Sequence, residues 1–302
     1  MAAERSLALL LTSICAFACS TPTPPSRTTK ATAPEEVPVN ALEAARAAVD
    51  GRTGALLHIS LLRSILSAES TLRLGQWGQI AQRLGLDPLR DVDTVFVTST
   101  HALDARSAVV IKTSAEPSYL LSKLEAAAVE SGALLSTPVG DPPRASLRLK
   151  DGSEVTVAIG DVIVALPSYV GFEVDRFAGP VYMPGPFGTE AASFFAFDLS
   201  STLGSIPRWP TELVAAQAFL ELDRSGGATI RFDGRTLSHA DAERSALSLT
   251  QQAHDLLTVN LKLFELELLT PPVFSANDER VEMTTTLSAE ELGWLLAFSG
   301  SR

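Results

Sequence analysis

The side chains best placed by sequence to do chemistry are His239 and Glu243, a histidine and a carboxylate four residues apart. On a helix this spacing puts both on one face, where they could begin a metal site. His254 lies about 60° further around an ideal helix and does not complete the site. We therefore favour a solvated first helical turn. His58, in an apolar strand, is predicted to be half-buried, and His101 falls in a hairpin loop without a partner.

The densest group of carboxylates is Asp87, Asp91 and Asp93. A calcium loop needs six or more oxygen ligands around a glycine-bearing turn, and the Asp-x-Asp-x-Asp-Gly spacing is missing. Asp87 followed by Pro88 is instead typical of a cap that starts a single helical turn. The sequence predicts such a turn, with Arg90 in a surface ion pair.

The motifs of common enzyme classes are missing from the sequence. It has neither the phosphate-binding Gly-x-x-x-x-Gly-Lys nor the nucleophile-elbow Gly-x-Ser-x-Gly, and Gly185–Gly188 is too short for a dinucleotide turn. We therefore expect a protein that is not an enzyme, with no catalytic, cofactor-binding or metal-binding residues and no cofactor. A hydrolase that uses dispersed carboxylates stays an alternative, because catalytic pairs can meet only in the fold.

The N-terminus has the pattern of an export signal. Leu7–Ala18 is a dozen residues without charge, too short to span a bilayer but long enough for a signal-peptide core. Ala16-Phe17-Ala18-Cys19 follows and resembles the lipobox of bacterial lipoproteins. The resemblance implies a signal peptide over residues 1–18, cleavage before Cys19, and lipid (palmitate) attachment at Cys19. The alternative is an ordinary secretory signal that is cleaved after Ala18.

A tether is predicted after this cysteine. Residues 19–39 are rich in Pro and Thr, which predicts a disordered, extended spacer of up to ~60 Å at about 3.1 Å per residue. Ser20 is not the Asp that signals inner-membrane retention in Gram-negative lipoproteins, so the resemblance implies the periplasmic face of the outer membrane. The formal net charge of −11 argues against nucleic acid as a partner.

The remaining chain predicts an α+β fold of antiparallel sheets with packed helices. Residues 40–168 form a first α+β unit, 169–191 a Pro- and Gly-rich linker, and 192–302 a second unit. In both units a strand, a helix, a hairpin, a second helix and further strands follow in the same order, and Gly54–Ser60 matches Ala192–Asp198. The order predicts two pseudo-repeated units.

The apolar run Leu256–Leu269 is expected to continue a helix that starts after Ser238 and reaches about Leu268. Apolar residues occupy more than one face of this helix, as in a helix buried nearly all round. We expect a core helix between two sheets. The alternative is one wall of an apolar groove for a lipid-like ligand or a partner protein.

Residues 85–93 read Gly-Leu-Asp-Pro-Leu-Arg-Asp-Val-Asp, and this run, with the closing segment Val281–Leu296, resembles exported lipoproteins of high-GC Gram-negative bacteria. That group carries no assigned activity. The resemblance and the signal together predict a membrane-anchored envelope lipoprotein with a non-catalytic binding or structural role, whose partner is another envelope protein. A carrier or sensor of an apolar ligand is the first alternative.

Overall fold

The computed structural model describes residues 38–66, 76–100, 107–150, 152–199, 210–257, 260–261, 264–265 and 271–298. The predicted signal peptide, the lipid-attachment residue Cys19 and the tether up to residue 37 lie outside these ranges, as does His101. The final two residues assigned to the tether, Pro38 and Val39, lie within them.

Six α-helices and sixteen strands are described. The helices are α1 (Ala41–Ala48), α2 (Ile59–Leu62), α3 (Gln76–Arg83), α4 (Pro117–Ser131), α5 (His239–Leu257) and α6 (Ala289–Phe298), and a 3₁₀ segment covers Ser168–Phe177. The strands are β1 (Val39–Asn40), β2 (Thr53–His58), β3 (Val92–Ser99), β4 (Ser107–Thr113), β5 (Leu134–Leu135), β6 (Arg144–Arg148), β7 (Glu154–Ile159), β8 (Val162–Pro167), β9 (Val181–Tyr182), β10 (Glu190–Phe197), β11 (Ala215–Leu222), β12 (Ala228–Arg235), β13 (Asn260–Leu261), β14 (Phe264–Glu265), β15 (Ser275–Asn277) and β16 (Arg280–Leu287).

Helices and antiparallel strands combine as the sequence predicts, but the main strands form one sheet where separate sheets were expected. Twelve strands are hydrogen-bonded in the order β15-β16-β12-β11-β10-β2-β3-β4-β8-β7-β6-β5. The two halves of the chain join where β2 pairs antiparallel with β10, Leu57 opposite Ala192 and Thr53 opposite Ala196. A backbone ladder therefore runs unbroken across both predicted units.

Most helices cover one side of this sheet, which we call the helix face. In the first half α2, α3 and α4 bury Trp77, Leu84 and Leu120 against Val95 and Ile111 of the strands. In the second half α5 packs its alanine-rich side (Ala242, Ala246, Ala253) against Phe232 and Met283. Small side chains let a helix lie close to a sheet, so this layer is thin and tightly packed.

Among the described residues, helices pack on the opposite side in the first half only. There α1 and the 3₁₀ segment bury Phe96, Val110 and Val164 of the sheet. The segment 169–191, predicted to be a linker, is thus part of the fold, because its Val174 and Phe177 belong to this core. Its β9 also pairs with β1, so Val39 is an ordered strand residue, and the tether cannot extend through it.

Several helix ends follow the sequence signals. Asn40 caps α1 by accepting from the Leu42 N–H at 3.1 Å, and Ser288 and Glu291 form a reciprocal capping box at α6. Gly132 ends α4 in the left-handed conformation, φ 64°. Thr113 and Glu116 have the spacing of a capping box before α4, but Glu116 makes no side-chain cap, and Thr113 Oγ1 accepts from the Ala115 N–H instead.

The helix expected to reach Leu268 ends at Leu257. A short antiparallel pair, Asn260–Leu261 with Phe264–Glu265, follows within the apolar run. Branched and aromatic residues such as Val259 and Phe264 favour strands as readily as helices, and periodicity alone cannot separate the two in a short apolar run. Within the described ranges, the helix therefore does not continue through the apolar run, and the strands of this half belong to the same sheet as those of the first half.

Candidate functional site

The part of the sheet with the most polar chemistry is the side of the second half that faces away from α5. We call this surface the open face. No helix among the described residues packs on it, whereas the same side of the first half is covered. Its side chains come from β11, β12 and β16, and alternate with the buried ones: Gln217, Phe219, Glu221, Thr229, Arg231, Asp233, Arg280, Glu282, Thr284 and Thr286.

Ion pairs and hydrogen bonds link these side chains across three strands. The guanidinium of Arg280 binds the Asp233 carboxylate, with Nε at 3.2 Å from Oδ1, and lies 3.6 Å from Glu282. Gln217 Nε2 donates to the other Asp233 oxygen at 3.1 Å. These contacts raise the pKa of Arg280, chiefly through the bond to Asp233. The open face therefore carries charges of both signs that contact one another across neighbouring strands.

One polar atom of this array has no partner. Gln217 Oε1 is buried and accepts no hydrogen bond within the described part of the chain. A buried acceptor without a donor costs free energy, on the order of 1–3 kcal/mol. The open face thus contains a position at which a hydrogen-bond donor would be favoured.

A second group of charges lies where β10 begins. Glu190 pairs across the ladder with Glu221, which binds Arg231. Burial raises the pKa of Glu190, and the negative charge of Glu221 adds to this effect, while a hydrogen bond from Ser193 and the charge of Arg231 oppose it. Chemically, this group offers one carboxyl group with a raised pKa beside a second one that is paired with arginine.

These residues cannot be recognised from the sequence as a group, because they come together from strands far apart in the chain. The sequence indicates this surface only through the alternation of polar and apolar residues in β12. The polar residues are Thr229, Arg231, Asp233 and Arg235, and the apolar ones between them include Ile230 and Phe232. This pattern indicates a strand with one wet face, but it cannot tell which carboxylate each arginine meets.

The structure brings His239 and Glu243 together but adds no third ligand. Nε2 of His239 lies 3.4 Å from Glu243, and Nδ1 lies 3.0 Å from the Asp278 carbonyl oxygen. No group of three or more His, Cys, Asp or Glu residues within the described ranges is arranged to hold a metal ion. His254 lies in the last turn of α5, far along the helix from His239.

The aspartate cluster forms the predicted turn. Asp87 Oδ1 accepts from the N–H groups of Leu89 at 2.9 Å and Arg90 at 3.2 Å. The expected arginine partner differs, because Arg63 from the end of α2, and not Arg90, pairs with Asp93 at 3.2 Å. Both observations give these residues a structural role.

His58 is more deeply buried than predicted, with only 1% of its surface exposed. It ends β2 and precedes α2, and its Nδ1 makes no hydrogen bond to any described residue. Burial lowers the pKa of His58, so the neutral imidazole is the form that fits the fold.

A small cleft lies between the loop at Gly140–Pro142 and the 3₁₀ segment. Its volume is about 120 Å³, and its polar lining is the ion pair of Arg144 with Asp175. Pockets for drug-sized ligands are about 300–1,000 Å³, so this cleft would hold a few water molecules and no acyl chain.

Comparison with protein-family models, with curated protein sequences and with solved structures finds no match to this chain. None of the helices within the described ranges is long and apolar enough to span a bilayer.

Proposed function

We propose that this protein is a lipid-anchored lipoprotein of the bacterial envelope with a non-catalytic binding role, and that it binds a partner protein through the open face. The observation that carries the proposal is the contrast between the two halves of the sheet. One half buries its outer side under α1 and the 3₁₀ segment. The other half presents paired charges on the same side.

The position of β1 supports display from a tether. Val39 and Asn40 pair with Val181 and Tyr182 immediately after the Pro- and Thr-rich segment, and α1 follows at once. Since α1 lies on the side of the sheet that carries the open face, the tether would leave the domain on that side. A partner bound to the open face would then lie next to the tether.

The charge pattern supports a protein partner. Arg231 and Arg280 each lie beside carboxylates, so the open face has patches of both signs within a few residues. Alternating charges fix register and exclude wrong partners more than they add affinity. Phe219, under the guanidinium of Arg231 at 5.7 Å, supplies an aromatic contact at the centre.

The first experiment tests the anchor. The wild-type chain, expressed in a Gram-negative host, should sediment with membranes and carry two or three acyl chains on a mature N-terminus at Cys19, because lipid is the proposed attachment. Cys19→Ser should release it into the periplasmic fraction. Intact-mass measurement of both proteins shows whether acyl chains are attached. A wild-type protein without the mass of acyl chains would contradict the proposal.

The second experiment tests the open face. Residue-specific photocrosslinkers at Thr229 and, as a matched control, at exposed Lys150 in the first half would be compared in whole cells. A discrete crosslinked product from Thr229 that is lost in Arg231→Glu supports the proposal. Identical products from both positions, or no loss in Arg231→Glu, would count against it.

We also infer that the two halves are a pseudo-repeat related by rotation about the β2–β10 pair. In sheet order β3, β4, β8 and β7 lie on one side of this pair, and β11, β12, β16 and β15 on the other. Equivalence of Val95 with Ala218 and of Ile111 with Phe232 keeps these side chains on the same face, because all four lie in helix-face cores. An experimental structure whose halves superpose best in another register would contradict this inference.

A hydrolase is a second candidate because of Glu190 and Glu221. A carboxyl group with a raised pKa beside an ionised carboxylate is the arrangement that general acid catalysis uses. Such a site would be recognised by loss of activity in Glu190→Gln with an unchanged fold. The ion pair of Arg231 with Glu221 ranks this role below the binding role.

A further inference from the structure

We propose that the free edge of β16 is a docking site for an extended strand of a partner polypeptide, which would pair with it antiparallel through Thr284 and Thr286. This goes beyond the proposed function, since the edge is a surface separate from the open face.

The hydrogen bonds at the start of β16 show which of its backbone groups point toward β12 and which point away from it. The Thr236 N–H donates to the Glu279 carbonyl at 2.9 Å, which continues the β12–β16 ladder. Backbone groups alternate along an antiparallel strand, so the odd-numbered residues of β16 bond to β12 and the even-numbered ones point outward. Of the latter, Arg280 and Glu282 face Asn277 and Ser275 of β15.

Beyond Glu282 the outer side of β16 has no strand beside it within the described ranges. β15 contains only Ser275–Asn277, and the preceding Phe274 turns toward α5, where its N–H donates to Thr250 Oγ1 at 2.9 Å. Pro271 and Pro272 come before it and cannot donate to a ladder. Within the described residues, the outward N–H and C=O groups of Thr284 and Thr286 therefore have no backbone partner.

The first half shows what kind of strand fits. Under the equivalence given above, Ala165–Pro167 of β8 corresponds to Thr285–Leu287 of β16. β7 covers the former, with Val155 opposite Pro167, Thr156 opposite Leu166 and Val157 opposite Ala165. In β7 the valines lie on the helix face and the threonine lies on the other side. A partner strand at β16 should carry the same alternation.

The two faces of β16 at this edge differ in polarity, and a negative charge lies near one end of the edge. Met283 and Leu287 are buried on the helix face, while Thr284 and Thr286 are exposed on the other, so apolar side chains of a partner would extend the α5–α6 layer. The exposed Glu290 follows the edge at the start of α6. Edges that must stay unpaired usually carry a lysine or a proline, and Thr284–Leu287 has neither. A basic residue at the end of the incoming strand near Glu290 would complement this charge.

The experiment measures residue-resolved hydrogen exchange in the purified full chain. Without any peptide, the amides of Thr284 and Thr286 should exchange at least about 100-fold faster than those of Met283 and Thr285, which bond to β12. Equal protection of all four amides would show that the edge is already paired and would overturn the proposal. Protection of Thr284 and Thr286 that grows with protein concentration would identify a second copy as the occupant and would overturn the proposed partner.

The probe is a capped peptide with the sequence of Glu154–Ile159 in which Glu154 is replaced by Lys. It should protect Thr284 and Thr286, whereas the same peptide N-methylated at the residues that face the edge should not. The unsubstituted Glu154 peptide should bind at least about threefold more weakly, because its carboxylate meets Glu290. Equal protection by the N-methylated peptide, or none by either peptide at its solubility limit, would overturn the proposal.

A pair of protein variants completes the test. Thr286→Pro removes an outward N–H and no bond to β12, so it should abolish peptide protection at Thr284, while Thr286→Ala should retain it. Binding that survives in Thr286→Pro with an unchanged unfolding midpoint would overturn strand pairing. The photocrosslinking at Thr229 does not depend on this edge, so either proposal can fail alone.

Discussion

At the scale of single residues, His58 and Glu190 make stability depend on pH in opposite directions. Burial lowers the pKa of His58, so its contribution is complete above the ordinary value of 6.5 and is lost as the pH falls through that value. Burial raises the pKa of Glu190, so the folded state binds its proton more tightly than the unfolded chain. Stability therefore falls as the pH rises from the ordinary glutamate range through the raised pKa.

His58→Leu should raise the free energy of unfolding at pH 5 to 6 by about 1 kcal/mol, because it removes a buried nitrogen without a partner and a proton-binding group. The measurement is urea unfolding at several pH values between 5 and 8. His58→Gln is the matched control, which should flatten the pH dependence without the gain in stability. An unchanged slope in both variants would contradict the assignment of this slope to His58.

At the scale of elements, the β2–β10 pair depends on a glycine whose role the sequence does not reveal. A Cβ at Gly54 would lie 2.4 Å from Cε1 of Phe195 and 2.8 Å from the Val97 carbonyl oxygen. The Phe195 ring stacks 6.2 Å from Phe96 and fills the space that this glycine leaves. The join between the two halves is therefore closely packed on the side that α1 covers.

Gly54→Ala should destabilise the protein by about 1–3 kcal/mol, the usual cost of overpacking a core against backbone. Gly293→Ala in α6 is the control, since its Cβ would meet nothing within 4 Å, and it should stabilise by about 0.5–1 kcal/mol. Thermal unfolding of both variants checks the prediction. A Gly54→Ala midpoint equal to that of the wild type would show that Phe195 can move aside.

The elements themselves could largely be predicted from the sequence, and their partners could not. Turn and cap residues mark the ends of α4 (Pro117–Ser131) and the turn of the β7–β8 hairpin, because these signals are local. The charged array of Gln217, Asp233 and Arg280 depends on strand order, which no local signal determines. The prediction that the helix continues through the apolar run after Leu257 is wrong, because the composition of this run suits helix and strand alike.

At the scale of the whole molecule, one sheet makes the two halves interdependent. Phe194, Leu220 and Leu222 belong to the second half of the chain but pack against the core under α2 to α4. Ile65 from the first half in turn packs against the cluster that anchors α6. Neither half keeps a complete core without the other, although each has its own helices.

A fragment that starts at Glu190 and ends at Arg302 should therefore not fold alone. It loses the β2 ladder and exposes the apolar side chains of β10 and β11 that the first half buries. Circular dichroism and amide-proton NMR dispersion of this fragment give the readout, with the full chain as reference. A cooperative unfolding transition in the isolated fragment would contradict this interdependence.

The pairing of β1 with β9 has a mechanical consequence. A pull on the chain from its N-terminal side reaches the domain at Val39, where only two residue pairs of parallel strand resist it. The next element along the chain is α1, and its N-cap residue Asn40 is part of the same short strand. Under load this corner should detach first and lengthen the connection, while the twelve-stranded sheet stays intact. In the proposed anchored protein, this corner would be the weak link, and tension on the tether would be relieved there before it reaches the core.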